Sequence, residues 1–163
     1  MFVHQGGGGL AEYAVVPASQ AALRPPEVSA VEGACLPMAA FTALAALRRA
    51  GVGLDAGDGP PKNVLVTAAS GGVGHYAVQL AKLAGLHVTA TCGARNLELV
   101  ADIGADEALD YKTPEGAALS NSSGKKYDYI VNTTTDGKWS AFKPKDGNFT
   151  HGHGYPWIPD PNG

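Results

Sequence analysis

A short apolar run, Asn63-Val64-Leu65-Val66-Thr67, leads directly into Ala68-Ala69-Ser70-Gly71-Gly72-Val73-Gly74 and then into a helical pattern. No other stretch constrains the chain as strongly. Strand, glycine turn and helix in this order open a doubly wound α/β domain. In such a turn the first small residue permits the tight reversal, the second glycine lets backbone approach a pyrophosphate, and the third lets the helix lie on the strand. Here those posts are Ala68, Gly71 and Gly74. The helix aims its first N–H groups and its positive dipole end at the phosphates, so no cluster of basic side chains is required. The competing reading is a flavodoxin-like or other doubly wound domain whose turn serves only the fold.

The flanks strengthen the dinucleotide reading. Val73, Ala77, Leu80, Ala81 and Ala84 recur at helical spacing, and Gly85 marks the stop. A second strand is expected over 86–91, a helix over 97–103 closed by Gly104, and a third strand over 106–111. Thr113-Pro114-Glu115 has the form of an N-cap, first-turn proline and first-turn acid, and a fourth strand is expected over 127–132. Strands alternating with helices demand right-handed crossovers and a parallel sheet.

Upstream, residues 10–16 read as a strand stopped by Pro17. A strand needs neighbours for its backbone groups, and the other candidates lie far downstream, so this segment reads as part of an incomplete domain. Ser29 and Glu32 fit a capping box. Pro37 is expected to interrupt the helix that begins there, with a second helical pattern from Met38 to Ala50 closed by Gly51. Residues 51–62 form a Gly, Pro and Asp rich connector, and residues 136–163 lose all periodicity.

At 163 residues the chain suffices for one well-buried domain and is short for two. A formal net charge of −3 gives nucleic acid or an anionic membrane no general electrostatic hold, so neither is an expected partner. Two cysteines, Cys35 and Cys92, make no disulfide framework and point to a reducing compartment. No transmembrane segment is expected, and Met1 opens no signal-peptide pattern.

Enzymes that prefer the non-phosphorylated dinucleotide place an acid near the end of the second strand, against the ribose hydroxyls. This chain offers Thr91-Cys92-Gly93-Ala94-Arg95-Asn96 there, a set whose cation can pair with a 2′-phosphate. NADPH is therefore the expected cofactor. Arg95 also has a plainer reading as an exposed first-turn arginine. Thr42, polar within an apolar helix, reads from the residues alone as a threonine bonded back to its own helix. Cys92 is read as a small buried or cofactor-facing thiol rather than a reactive one. His151-Gly152-His153 has no cysteine or carboxylate at zinc spacing, and no metal is expected. Ala69-Ser70-Gly71 lacks the glycine of a nucleophile elbow, and no Tyr-x-x-x-Lys pair of the short-chain dehydrogenases is present.

Four motifs in this order carry a resemblance: Gly-Gly-Gly-Leu-Ala-Glu-Tyr-Ala at 7–14, Leu36-Pro37 to Thr42-Ala43-Leu44, Ala68-x-x-Gly71-x-x-Gly74, and Gly104-Ala105-Asp106 to Asp110-Tyr111-Lys112. Together they resemble the zinc-independent quinone oxidoreductases of the medium-chain dehydrogenase/reductase superfamily, most strongly the plant chloroplast branch over residues 62–128. The resemblance implies an α/β fold, a partial Rossmann-like parallel sheet with a remnant of a GroES-like β domain at the N-terminus. Its expected divisions are 1–28 for the GroES-like remnant, 29–62 for connecting helices and linker, 63–135 for the NADPH-binding core and 136–163 for an irregular tail.

The implied reaction is NADPH-dependent hydride transfer to the double bond of an α,β-unsaturated carbonyl, or to a quinone. Ser70, Gly71, Gly72 and Val73 would line the pyrophosphate. Thr42 falls at the family threonine beside the nicotinamide, and Asn132 and Thr133 where the family chain passes the same ring. Arg95, with Cys92 and Asn96 close by, sits near the family's basic residue for the 2′-phosphate, which Tyr111 flanks. No residue is assigned a catalytic role. Family members are often homodimers, and the compartment implied is the cytoplasm or the chloroplast, including the periphery of its envelope membrane. Similarity fades after about residue 132, and the chain covers roughly half of a family member, so low or no turnover is expected from it alone. The alternative is a non-catalytic nucleotide-binding or interaction module with an uncovered apolar patch.

Overall fold

The computed structural model describes residues 10–54, 60–122, 124 and 127–134, and the backbone of 149–151. The Gly-rich lead before Leu10, part of the connector, His153 and most of the expected irregular tail lie outside these residues. Two compact units divide the chain, one ending at Phe41 and the other beginning at Thr42.

In the first unit, residues 13–17 carry no strand pairing, and Leu10, Tyr13 and Val15 are exposed. The expected strand over 10–16 is therefore not formed: a strand needs a partner ladder for its backbone groups, and this segment has none among the described residues. A 3-10 turn follows at Ala18–Gln20. The capping box is present at the start of α1 (Ala30–Cys35): the Glu32 N–H donates to Ser29 Oγ at 3.2 Å, and the Ser29 N–H to Glu32 Oε2 at 2.8 Å. These bonds hold the Glu32 carboxyl below its ordinary value.

Pro37 does not break the helix. Residues Leu36–Ala40 form a π-helical turn in which the Phe41 N–H donates to the Leu36 carbonyl five residues back. The wider turn accommodates the ring and the missing donor, and α2 (Phe41–Arg49) continues directly. The resulting 20-residue run Ala30–Arg49, with a mean hydropathy of 1.6, is long and apolar enough by length and composition to cross a membrane. That departs from the expectation that no segment has the length and apolarity of a membrane span. Ala43, Ala46 and Leu47 are buried in the core of the second unit, while most of the run is exposed or partly buried.

The second unit is a five-stranded, all-parallel sheet in the order β3-β2-β1-β4-β5. Its strands are β1 (Asn63–Thr67), β2 (His87–Cys92), β3 (Glu107–Asp110), β4 (Tyr129–Asn132) and β5 (Phe149–His151). Helix α3 (Gly74–Leu83) packs over β1 and β2, and α4 (Leu97–Asp102) over β2 and β3. The short α5 (Pro114–Ala117) is capped as expected, with the Gly116 N–H donating to Thr113 Oγ1 at 3.1 Å. Successive strand residues face opposite sides. Val64 and Val66 therefore join Ala43, Leu47, Val78 and Val88 in the main core, while Leu65 meets Ile130 and Tyr127 on the other side.

β5 places one short strand within 136–163, a stretch whose sequence shows no periodicity. It pairs with β4 through Ile130↔Phe149, Val131↔Thr150 and Asn132↔His151. Three residues are too few to show a period of two.

Candidate functional site

The strand order reverses direction at β1, so a crevice opens where β1 and β4 end side by side. Open α/β sheets bind ligands at such a point, outside the carboxyl ends of the strands. Most of the residues singled out by sequence lie along this edge: Ser70 to Val73 after β1, Cys92 at the end of β2 with Arg95 and Asn96 after it, Tyr111 after β3, and Asn132 at the end of β4.

The turn after β1 is built tightly. Ala68 takes a left-handed φ of 49°, unusual for a residue with a Cβ. Its carbonyl accepts the Gly71 N–H at 2.9 Å, and the Ala69 N–H donates to the Thr91 carbonyl at 2.8 Å, tying the turn to β2. A Cβ on Gly74 would stand 2.3 Å from the Ala68 oxygen and 2.7 Å from Ala69 Cα, so only glycine lets α3 approach this closely. Gly71 and Gly72 are exposed, and a Cβ on Gly72 would meet nothing within 4 Å. Bare backbone therefore faces open space at the positive end of α3, which fits a pyrophosphate by the donor chemistry of the turn. His75 Nδ1 lies 2.9 Å from the Gly71 carbonyl. A carbonyl only accepts, so this nitrogen carries the proton and braces the turn from within α3.

Asn96 Nδ2 donates to Ser70 Oγ at 3.0 Å, joining the loop after β2 to the glycine turn. Sequence spacing did not show this bond between two separately chosen residues. Gly93 lies under the Tyr111 ring, whose nearest carbon would be 3.6 Å from a Cβ there. Arg95, Tyr111 and Lys112 are exposed. Lys82 and Asp106 form an ion pair among the described residues, and neither Arg95 nor Lys112 takes part in it. Lys112 Nζ stands 5.9 Å from the Tyr111 ring.

Cys92 differs from its neighbours in facing inward. Its side chain is buried in the main core, and burial, with the Asp110 carboxylate next, pushes the thiol up. It is a packed thiol rather than a reactive one. Asp110, the register partner of Cys92, brings an acid beside the end of β2 that sequence order does not reveal. Its Oδ1 accepts the Lys112 N–H at 3.0 Å.

At the β1–β4 crevice, the fully buried Asn132 accepts the Thr67 hydroxyl at Oδ1, together with the Thr134 N–H at 3.2 Å and hydroxyl at 2.9 Å. The Thr133 hydroxyl donates to the Thr67 carbonyl at 2.6 Å. Thr67 and Thr134 were not singled out from sequence; the available signal is the polar run Asn132-Thr133-Thr134-Thr135 closing an apolar strand. Thr42 lies half-buried one residue into α2. Among the described residues no cluster of His, Cys, Asp and Glu could hold a metal ion.

Comparison with known proteins adds three findings. The zinc-binding dehydrogenase family matches residues 72–141. The chain is 63% identical over 142 residues to a chloroplastic quinone-oxidoreductase homologue of Spinacia oleracea and, over the same length, 63% identical to the chloroplast envelope quinone oxidoreductase homologue of Arabidopsis thaliana. Each match takes in 86% of this chain and 43% of the relative, so the chain spans less than half their length. Among solved structures, the quinone oxidoreductase of Thermus thermophilus, described with its NADPH complex, superposes with a TM-score of 0.67 at 33% identity. That match covers 83% of this chain and 42% of the other.

Proposed function

The chain belongs to the medium-chain dehydrogenase/reductase superfamily, and from that membership we propose that it binds NADPH at the turn after β1 and forms the cofactor-holding half of a quinone or enone reductase. The observation that carries this reading is the exposed, side-chain-free backbone of Gly71 and Gly72 over the start of α3, at the reversal point of the sheet.

Bound NADPH supplies a hydride to the β-carbon of an α,β-unsaturated carbonyl or to a quinone. The chain's part is to hold and orient. Ser70 to Val73 cradle the pyrophosphate with backbone N–H groups, and His75 and Asn96 keep that backbone in place. Arg95 would pair with the 2′-phosphate and Tyr111 would flank it; both side chains are exposed, as is Lys112 beside Tyr111. Thr42 and Asn132 would take the nicotinamide side, and Cys92 packs in the core at the end of β2, where the loop carrying Arg95 and Asn96 begins. Residues 1–28 are read as the end of a GroES-like domain, 29–62 as its connection and 63–135 as the cofactor core. The names of the plant relatives support a chloroplast location, and family habit supports a homodimer.

A fluorescence titration tests the reading. NADPH should bind at least about tenfold more tightly than NADH, the margin of a charge-assisted contact to the 2′-phosphate. Equal affinities would remove the preference for NADPH, and no binding of either cofactor would remove the function.

A further inference from the structure

We propose that Thr133 is a positioning residue for the glycine turn: its hydroxyl, donated to the Thr67 carbonyl, clamps Ala68 from the end of β4 and keeps the turn set for the cofactor. The inference rests on the NADPH reading of that turn.

Ala68 is held in a conformation that its own Cβ opposes, with φ at 49°. Such residues persist only where their surroundings over-determine them. On the β2 side the restraint is the bond from the Ala69 N–H to the Thr91 carbonyl at 2.8 Å, and inside the turn it is the Gly71 N–H on the Ala68 oxygen at 2.9 Å. Neither holds the residue before Ala68.

Thr67 is held by its ladder pair and hydroxyl bond with Asn132, and Thr133 adds the bond to its carbonyl, on the peptide that enters Ala68. The ladder between β1 and β4 ends at the pair Thr67↔Asn132, so Thr133 stands one position past the last registered pair. Its N–H donates to Thr67 Oγ1 at 3.2 Å, its hydroxyl donates to the Thr67 carbonyl at 2.6 Å, and the same hydroxyl lies 3.5 Å from the Ala68 carbonyl. A side chain thus takes over where backbone pairing stops, at the peptide that enters the left-handed residue. If Ala68 relaxes toward ordinary φ, its carbonyl swings and releases the Gly71 N–H. The bare backbone at Gly71 and Gly72 then loses its setting. The clamp also couples the end of β4 to the turn after β1 across the crevice.

The test uses the 163-residue chain carrying Thr133→Val, Thr133→Ser, or Thr133→Val with Ala68→Gly. Two quantities are measured: the Kd for NADPH by fluorescence, and hydrogen exchange of the Gly71 amide without ligand. T133V should weaken NADPH about tenfold and speed Gly71 exchange by a similar factor, the loss of one good hydrogen bond. T133S keeps the hydroxyl and should match wild type in both. A68G in the T133V background should return the Kd to within about threefold of wild type, because glycine takes positive φ without a clamp.

An unchanged Kd in T133V, a T133S variant as weak as T133V, or no recovery with A68G overturns the proposal. Should the wild-type chain bind no NADPH, the cofactor reading fails, and Gly71 exchange in T133V against T133S still decides whether the hydroxyl clamps the turn.

Discussion

The two ends of the sheet are built on opposite principles. At the amino end, charged and polar groups close on one another. Lys62 Nζ donates to the Tyr129 hydroxyl at 2.9 Å, the Asn63 N–H to Asp128 Oδ2 at 2.9 Å, and Asp106 takes both Lys82 Nζ at 2.8 Å and the Val88 N–H at 2.7 Å. At the carboxyl end, two glycines are bare, a non-glycine residue holds positive φ, and the exposed cations Arg95 and Lys112 stand outside the ion pair found among the described residues. One end spends its side chains on stability. The other leaves backbone and charge uncovered, which the proposed cofactor site requires.

That contrast can be broken in graded steps. The largest effect belongs to Gly74→Val, whose Cβ would sit 2.3 Å from the Ala68 oxygen. It should cost about 3 kcal/mol by urea unfolding, as an overpacked helix–strand contact does. A smaller loss would mean that α3 can shift off the turn.

Next comes the charge on the carboxyl edge. Arg95→Ala should weaken NADPH about tenfold while leaving NADH unchanged, because the lost partner is a 2′-phosphate that only NADPH carries. Equal losses for both cofactors in a titration would place Arg95 away from that phosphate.

At the amino end, Asp106→Asn should cost about 1 kcal/mol and leave NADPH affinity untouched. Burial raises the Asp106 carboxyl, but the Lys82 ammonium and the Val88 N–H, with His87 adding to them, outweigh it and hold the group below its ordinary value. A depressed folded pKa contributes stability that is complete above the ordinary carboxylate range and lost as pH falls through the folded value. The gap between wild type and D106N should therefore close in melts below about pH 4. A constant gap would show that the carboxylate charge is not what braces β2.

The smallest stability effect is expected from Gly72→Ala, which should change stability by no more than about 0.5 kcal/mol, since its Cβ enters open space. NADPH affinity should fall all the same. A variant with unchanged affinity would place the pyrophosphate elsewhere on the edge.

Much of this edge could be read along the chain. The posts Ala68, Gly71 and Gly74 imply a reversal and a close helix, and the tight contact of Gly74 with Ala68 is that implication realised. The Ser29–Glu32 capping box and the Thr113 cap were equally legible, because each bond spans three residues. Legibility failed where the deciding partner was distant or missing. Residues 10–16 read as a strand yet pair with nothing among the described residues, and Pro37 reads as a break until the π turn carries the helix past it. Three residues of β5 carry no period, and only their ladder to β4 reveals them.

By itself, then, the sequence determined the parallel α/β architecture, the glycine turn and the lack of an acid in the segment closing β2, since these rest on local spacing and backbone freedom. Tertiary structure alone decided that Asn96 reaches Ser70, that Asp110 lies beside Cys92, that Cys92 faces the core, and that Thr133 grips the carbonyl before Ala68. The physical reason is range. A turn is set by neighbours in the chain, whereas a binding edge is assembled from the ends of strands that meet only once the sheet has paired.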